Sequence, residues 1–242
     1  MRNYVIHHIT ETTSTQDEAK RLLEEGAQDY AVAWTRRQTH GRGRLGRSWE
    51  TAEDNLMCTM IVTHRDVALN PNNLVYVVSL AVRDTVMKYV HNHEVEIKWP
   101  NDVLLDGAKV SGTLIEGASG ESCSLVGVGI NLNSAPSETR SLFPTTALAR
   151  VSQTAVPVYD ALHTLTENLI TRCEAWRSRG FDAQFAEEYM SCMWRLDETV
   201  HISNDKQKKK SISGINRGLA PSGALRLDVE GTIREFVAGD VF

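Results

Sequence analysis

Between Val95 and Leu132 four β-prone segments follow one another with only short turns between them, and this run limits the fold more than any other feature of the chain. The segments are Val95–Trp99, Val103–Leu105, Lys109–Glu116 and Ser124–Leu132. Parallel neighbours need a crossover of about a dozen residues or more, so segments this close pair antiparallel. Asp106-Gly107 lies between two of them and is a strong hairpin signal, because both turn positions require positive φ. Gly117–Glu121 marks the next turn. The spacing therefore predicts a largely antiparallel sheet.

Other elements surround that run. Tyr4–Ile9, Tyr30–Trp34 and Asn55–Val62 read as further strands. Thr12, Thr13, Ser14 and Thr15 each offer an N-cap, Thr15 with Glu18 makes a capping box, and Ala19, Leu22 and Leu23 mark one apolar face before Gly26. A helix is expected over Gln16–Glu25. Pro71 opens a second helix carried by Leu74, Val77, Val78, Ala81, Val82, Val86 and Tyr89. Tyr159–Arg177 and Phe181–Tyr189 are two more. Beyond about Met193 the pattern changes to Thr199–Ser203, Ser211–Asn216, Ala224–Val229 and Thr232–Val237, with turns at Gly218, Gly223 and Gly231, which predicts a small terminal β-barrel. The expected class is α+β, a largely antiparallel sheet with helices packed on it over 1–192 and the small barrel over 193–242.

Composition narrows the function. A chain of 242 residues with 41% hydrophobic and 24% charged residues is an ordinary globular polypeptide. Its net charge of −5 argues against a broad nucleic-acid-coating surface, which needs many cations to neutralise phosphates. Any basic site is local. Cys58, Cys123, Cys173 and Cys192 are far apart and form no CxxC pair, the N-terminal residues carry no secretory pattern, and no apolar run is long enough to span a membrane. These features lead to the expectation of a cytoplasmic protein without a membrane partner.

From Thr35 to Thr51 hydrophobic periodicity disappears, and a long irregular loop of this kind is commonly functional. Its centre, Gly41-Arg42-Gly43-Arg44-Leu45-Gly46-Arg47-Ser48-Trp49, combines a pliable backbone with three guanidinium forks, a composition suited to binding an anion. A solvated loop or an RNA-binding RGG-like stretch has the same local composition. Lys98-Trp99-Pro100-Asn101-Asp102 forms a strand-to-turn corner, and the Asp106-Gly107 hairpin returns Lys109 towards Asp102. Gly112 in mid-strand indicates close approach of a ligand or another backbone. Gly127-Val128-Gly129-Ile130-Asn131 lacks the third glycine of a dinucleotide fingerprint, and its Asn131 can both donate and accept towards a purine edge. His91 and His93 have no evident third metal ligand, and the Lys206–Lys210 run reads as an exposed hairpin tip.

In this order the GRGRxGRxW loop, the KWPND corner, the KxxGxLxE strand and the GxGxN strand end resemble the biotin–protein ligase family. The resemblance implies a mixed, class II synthetase-like sheet flanked by helices with an SH3-like terminal barrel, and an enzyme that joins biotin to ATP, with Mg²⁺, before passing it to a lysine of a biotin carboxyl carrier domain. It places Ser14, Thr15, Gln16, Gln38, Gly41, Arg42, Gly43, Arg44, Lys109 and Gly112 around biotin. Arg42, Arg44, Arg47, Trp49, Lys98, Asn101, Asn131 and, from the small barrel, Arg217 are placed around the nucleotide. Lys109, Asp102 and Arg44 are the implied catalytic residues, with Asp102 orienting or deprotonating the carrier lysine, and no direct metal ligand is expected. Gln16 and Ser111 depart from the Asn and Ala common in the family. The ligase pattern begins so near residue 1 that no DNA-binding function is expected, and the chain is read as a monomer or homodimer. The Arg/Gly loop is expected to close over its ligand. A lipoate ligase or octanoyltransferase of the same fold and a non-catalytic polyanion-binding module are the alternatives.

Overall fold

A computed structural model describes residues 4–50, 54–64, 69–118, 123–136, 143–205 and 210–242. The N-terminal part is built on a seven-stranded sheet formed by β1 (Ile6–Ile9), β2 (Val32–Thr35), β3 (Leu56–Thr63), β4 (Val95–Lys98), β5 (Asp102–Leu105), β6 (Ala108–Ala118) and β7 (Cys123–Ile130), in the spatial order β1-β2-β3-β7-β6-β5-β4. Only β1 and β2 run parallel, with α1 (Thr15–Glu24) making the crossover; the remaining pairs are antiparallel, as the short connections require. Asp106 and Gly107 take φ of 49° and 75°, the left-handed pair that a tight β5–β6 hairpin needs.

Both faces of the sheet are covered. Leu56, Cys58, Met60 and Val62 of β3 join the large core shared with α2 (Leu74–Met87) and α4 (Val158–Arg179), whereas Ile61 joins Ala19 and Leu22 of α1 on the opposite face. This two-sided burial explains why β3 and β7 are almost continuously apolar rather than alternating. Arg177 is the polar tie on the large core's side, pairing with Asp29 at 2.8 Å and Glu174 at 2.8 Å. Two shorter helices, α3 (Leu148–Ser152) and α5 (Ala183–Ser191), complete this part, and no helix among the described residues is long and apolar enough to cross a membrane.

The first helix corrects the expected cap. Ser14, not Thr15, is the N-cap, its side chain accepting from the Gln16 backbone N–H at 3.3 Å. Glu18 instead accepts from the Thr12 hydroxyl at 2.7 Å. Thr15 is drawn inward: its N–H donates to Gln38 Oε1 at 2.8 Å and its hydroxyl accepts from Thr59 at 2.9 Å. Pro71 begins a short 3₁₀ turn over Pro71–Asn73 rather than α2 itself.

The C-terminal residues form a second, five-stranded antiparallel sheet of β8 (Thr199–Ser203), β9 (Ile212–Leu219), β10 (Leu225–Val229), β11 (Thr232–Phe236) and β12 (Asp240–Val241), in the order β11-β10-β9-β8-β12. Among the described residues no pairing of β11 with β12 closes it into a ring. The two-residue β12 is too short to leave a periodic signal, and it runs back to the first sheet. Most of the Lys206–Lys210 run and of the Gly117–Glu121 turn lies outside the described residues.

Candidate active site

The site forms where the N-terminus of α1, the middle of β6 and β7, and the arginine loop meet. Gly127 and Gly129 alternate along β7 and so leave the same face bare. A Cβ on Gly127 would lie 2.6 Å from Gln16 Nε2, and one on Gly129 would lie 2.4 Å from Trp49 Cε2. The strand must therefore carry glycine at both points for the glutamine and the indole to reach its backbone. Gly112, opposite Gly129 in the β6–β7 register, faces Trp49 and Lys109.

Gln16 donates through Nε2 to Leu114 O at 2.9 Å, which fixes the amide's orientation. Its Oε1 is buried with no hydrogen-bond partner among the described residues. A buried orphan acceptor costs free energy until something supplies an N–H or O–H. Gln16 lines an inner chamber of about 100 Å³ together with Ser14, Gln38, Arg42, Gly43 and Trp49. An outer chamber of about 760 Å³ is lined by Lys98, Asn131, Phe143 and Glu50. Asn131 repeats the motif, with Nδ2 donating to Thr146 O at 3.1 Å while Oδ1 is a buried orphan. Trp49, Arg47, Asp102 and Lys109 border both chambers.

The arginine loop is tied down at each guanidinium. Arg42 pairs with Asp17 of α1 at 2.8 Å and Glu116 of β6 at 3.2 Å. Arg44 donates to Asn101 Oδ1 at 2.6 Å and to Gly239 O at 3.2 Å, and Arg47 pairs with Asp240. The one turn of 3₁₀ helix in the loop, Arg44–Gly46, passes through Leu45 at φ 57°. Gly41 accepts from Trp49 N at 2.8 Å, closing the loop's base.

The hairpin does bring Asp102 and Lys109 together, and it adds Lys98. Asp102 Oδ1 lies 2.7 Å from Lys109 Nζ and Oδ2 lies 3.0 Å from Lys98 Nζ. Burial by itself would raise the Asp102 carboxyl, but the charges and hydrogen bonds of Lys109 and Lys98 outweigh it and hold the group well below the usual carboxylate range. Lys98 moves down: burial comes first, Lys109 and Arg44 add repulsion, and Asp102 opposes them. Asp102 thus holds two lysine Nζ groups, and Lys98 is the more deeply buried of the two.

Most of the expected residues thus converge: Ser14, Thr15, Gln16, Gln38, Arg42, Gly43, Arg44, Arg47, Trp49, Asn101, Asp102, Lys109 and Gly112 line the inner chamber, and Lys98 and Asn131 the outer one. Gly41 sits in the loop's base, with Trp49 O 2.6 Å from where its Cβ would be. Arg217 is elsewhere, on β9, pairing with Asp197 at 2.8 Å and lining neither chamber. Asp240 is the residue that sequence reasoning missed, since a lone aspartate near the end of a weak β segment carries no signal. Gly127 and Gly129 had one, the i, i+2 glycine pair that bares one strand face. His93 contacts Asp106 at 2.8 Å, and no metal-holding group of three His, Cys, Asp or Glu occurs among the described residues.

The sequence profile of the biotin/lipoate A/B protein ligase family matches residues 8–133, the stretch that holds α1, the arginine loop and the β4–β7 ladder. The chain belongs to that family. It is 31% identical over 238 residues to the biotin–[acetyl-CoA-carboxylase] ligase of Mycobacterium tuberculosis, covering 96% of this chain and 86% of the relative. It is 37% identical over 132 residues to the enzyme of the same name from Paracoccus denitrificans, where the match covers 53% of this chain and 55% of the relative. The fold superposes on the biotin protein ligase of Aquifex aeolicus solved with biotin and ATP, with a TM-score of 0.83 at 25% identity, covering 98% of this chain and 97% of that one.

Proposed function

We infer that the chain is a biotin–protein ligase, which condenses biotin with ATP to biotinyl-5′-AMP and transfers the biotinyl group to one lysine of a biotin carboxyl carrier domain. The observation that carries this reading is the placement of Lys109 and Asp102 on the wall between two chambers, each of which presents one orphan amide oxygen. Gln16 Oε1 accepts from an N–H of the ureido ring in the inner chamber. Asn131 Oδ1 accepts from the exocyclic amine of adenine in the outer one, with Trp49 against the base. The biotin carboxylate and the α-phosphate then meet beside Lys109. Two anions must approach there, and fixed cations aimed at the developing charge lower that barrier. Lys109, Arg44 and Arg47 supply them.

Mg²⁺ is required to screen the phosphates of ATP. Among the described residues the outer chamber has Glu50, Asp102 and Asp240 as carboxylates, Asp102 already engaged by Lys98 and Lys109 and Asp240 by Arg47, so no cage is left and the ion would arrive on the nucleotide. Residues 1–192 make up the catalytic domain and 193–242 a small terminal domain that lends Asp240 to the site. The four cysteines are free and buried, which supports work in a reducing cytoplasm.

The site also speaks to the alternatives. A lipoyl or octanoyl chain has no N–H to satisfy Gln16 Oε1, which favours biotin within the family. A polyanion-binding module needs its arginines turned outward, whereas here each one is held by a carboxylate, an amide or a carbonyl. ATP–pyrophosphate exchange tests the reading directly: biotin should drive it, and exchange driven by lipoate or octanoate in place of biotin would overturn it.

A further inference from the structure

The incoming carrier lysine is an ammonium ion in water and cannot attack an acyl phosphate until it loses a proton. Asp102 is poorly suited to take it, because both of its oxygens already accept from lysine Nζ groups at 2.7 and 3.0 Å. The arginines stay protonated, Asp240 is engaged by Arg47, and Glu50 lies exposed at the rim. Lys98 remains. Its side chain is 7% exposed, yet it forms part of the outer chamber's wall. Its Nζ has two acceptors, Asp102 Oδ2 at 3.0 Å and Val241 O at 3.4 Å, and lies 5.2 Å from the centre of the Phe143 ring. A neutral primary amine has two N–H bonds and one lone pair. Two acceptors use both N–H groups and leave the lone pair available.

We propose that Lys98 is the proton acceptor for the carrier lysine in the transfer step, a role that rests on the ligase reading of the site. The groups facing it are Asp102 and Lys109 from the β5–β6 hairpin, Arg44 from the loop, and the β12 backbone. Burial and the neighbouring cations favour its uncharged form, as for other buried lysines that serve as general bases. The carrier ammonium gives one proton to Lys98, and its nitrogen attacks the acyl carbon. The C–N bond forms, the C–O bond to phosphorus breaks, and the electron pair leaves on AMP. The second proton passes from the amide nitrogen to the departing phosphate, and Lys98 returns its own to solvent.

The test separates this step from adenylate formation by loading wild type and Lys98→Arg with preformed biotinyl-5′-AMP and mixing each with a carrier domain or with hydroxylamine. Hydroxylamine is largely uncharged near neutral pH and needs no base. Arginine keeps the cation but cannot accept a proton. The carrier-to-hydroxylamine rate ratio should fall by about 100-fold or more in the variant, the low end for general-base catalysis. An unchanged ratio overturns the proposal. Wild type alone gives a second measurement that needs no variant to fold: its transfer rate should level off with pH below the range where a free lysine amine ionises. A rate that climbs throughout that range overturns the proposal. Wild type that acylates neither nucleophile refutes the ligase reading itself, and the proposal with it.

Discussion

Replacing Gln16 by methionine leaves a side chain of nearly the same length in the inner chamber but removes its amide. In the ligand-free protein two effects oppose each other. The Nε2 bond to Leu114 O at 2.9 Å is lost, at a cost of about 1 kcal/mol, while the buried orphan Oε1 disappears, a relief of about 1–3 kcal/mol. The melting temperature without ligand should therefore hold steady or rise slightly. Biotin binding behaves differently, because the ureido N–H now enters a dry chamber without its acceptor. A loss of about 1–3 kcal/mol corresponds to roughly 5- to 150-fold weaker affinity. Calorimetric titration with biotin alone, beside a thermal melt of the ligand-free protein, reads both quantities. Unchanged biotin affinity would refute the assignment of Gln16 Oε1 to the ligand. A large fall in melting temperature would refute the claim that this oxygen is a stored penalty.

Three other perturbations follow from the same geometry. Gly129→Ala places a methyl group where the Trp49 indole now lies, so the ring must leave, tryptophan emission should shift to the red, and the KM for ATP should rise by about 5- to 150-fold if the ring stacks on adenine; unchanged emission and KM would contradict this. Lys109→Ala removes the cation nearest the meeting point of carboxylate and phosphate and should slow biotin-dependent ATP–pyrophosphate exchange by about 100-fold or more, so near-normal exchange would remove Lys109 from that role. Glu96 is raised from 4.5 to about 7 by burial, then by Glu94 and Glu198, so its contribution to stability is full below its unfolded value and is lost as pH rises through about 7. Glu96→Gln should thus melt higher than wild type at about pH 8 and match it at about pH 4; equal melting at both would show that the carboxyl is not held in its protonated form.

The parts of this molecule that were legible in the sequence are those encoded locally. The Asp106-Gly107 turn set the β5–β6 hairpin and the return of Lys109 towards Asp102, whereas the register shift between Val103 and Leu104, which pairs Asp102 with Gly112, left no sign in the sequence. The arginine loop was recognisable from the loss of periodicity between two apolar strands. What stayed hidden depends on contacts distant in sequence. Thr15 looked like a cap until Gln38 and Thr59 pulled it inward. Asp240, nearly 200 positions from the loop, enters only because the second sheet folds its last strand back against Arg47. The second cation on Asp102 is of the same kind: the KWPND corner displays Lys98 plainly, but its burial beside Val241 comes from the terminal strand. Arg217 shows the converse, since its place in the small domain gave no hint that Asp197 would hold it away from both chambers.

The most direct test of the central claim is the intact mass of a biotin carboxyl carrier domain after incubation with this protein, ATP, Mg²⁺ and biotin. The carrier should gain a single biotinyl group, with no gain when ATP is omitted or when its acceptor lysine is replaced by arginine. An unmodified carrier in the complete mixture, or a carrier modified only when lipoate or octanoate replaces biotin, would contradict the assignment.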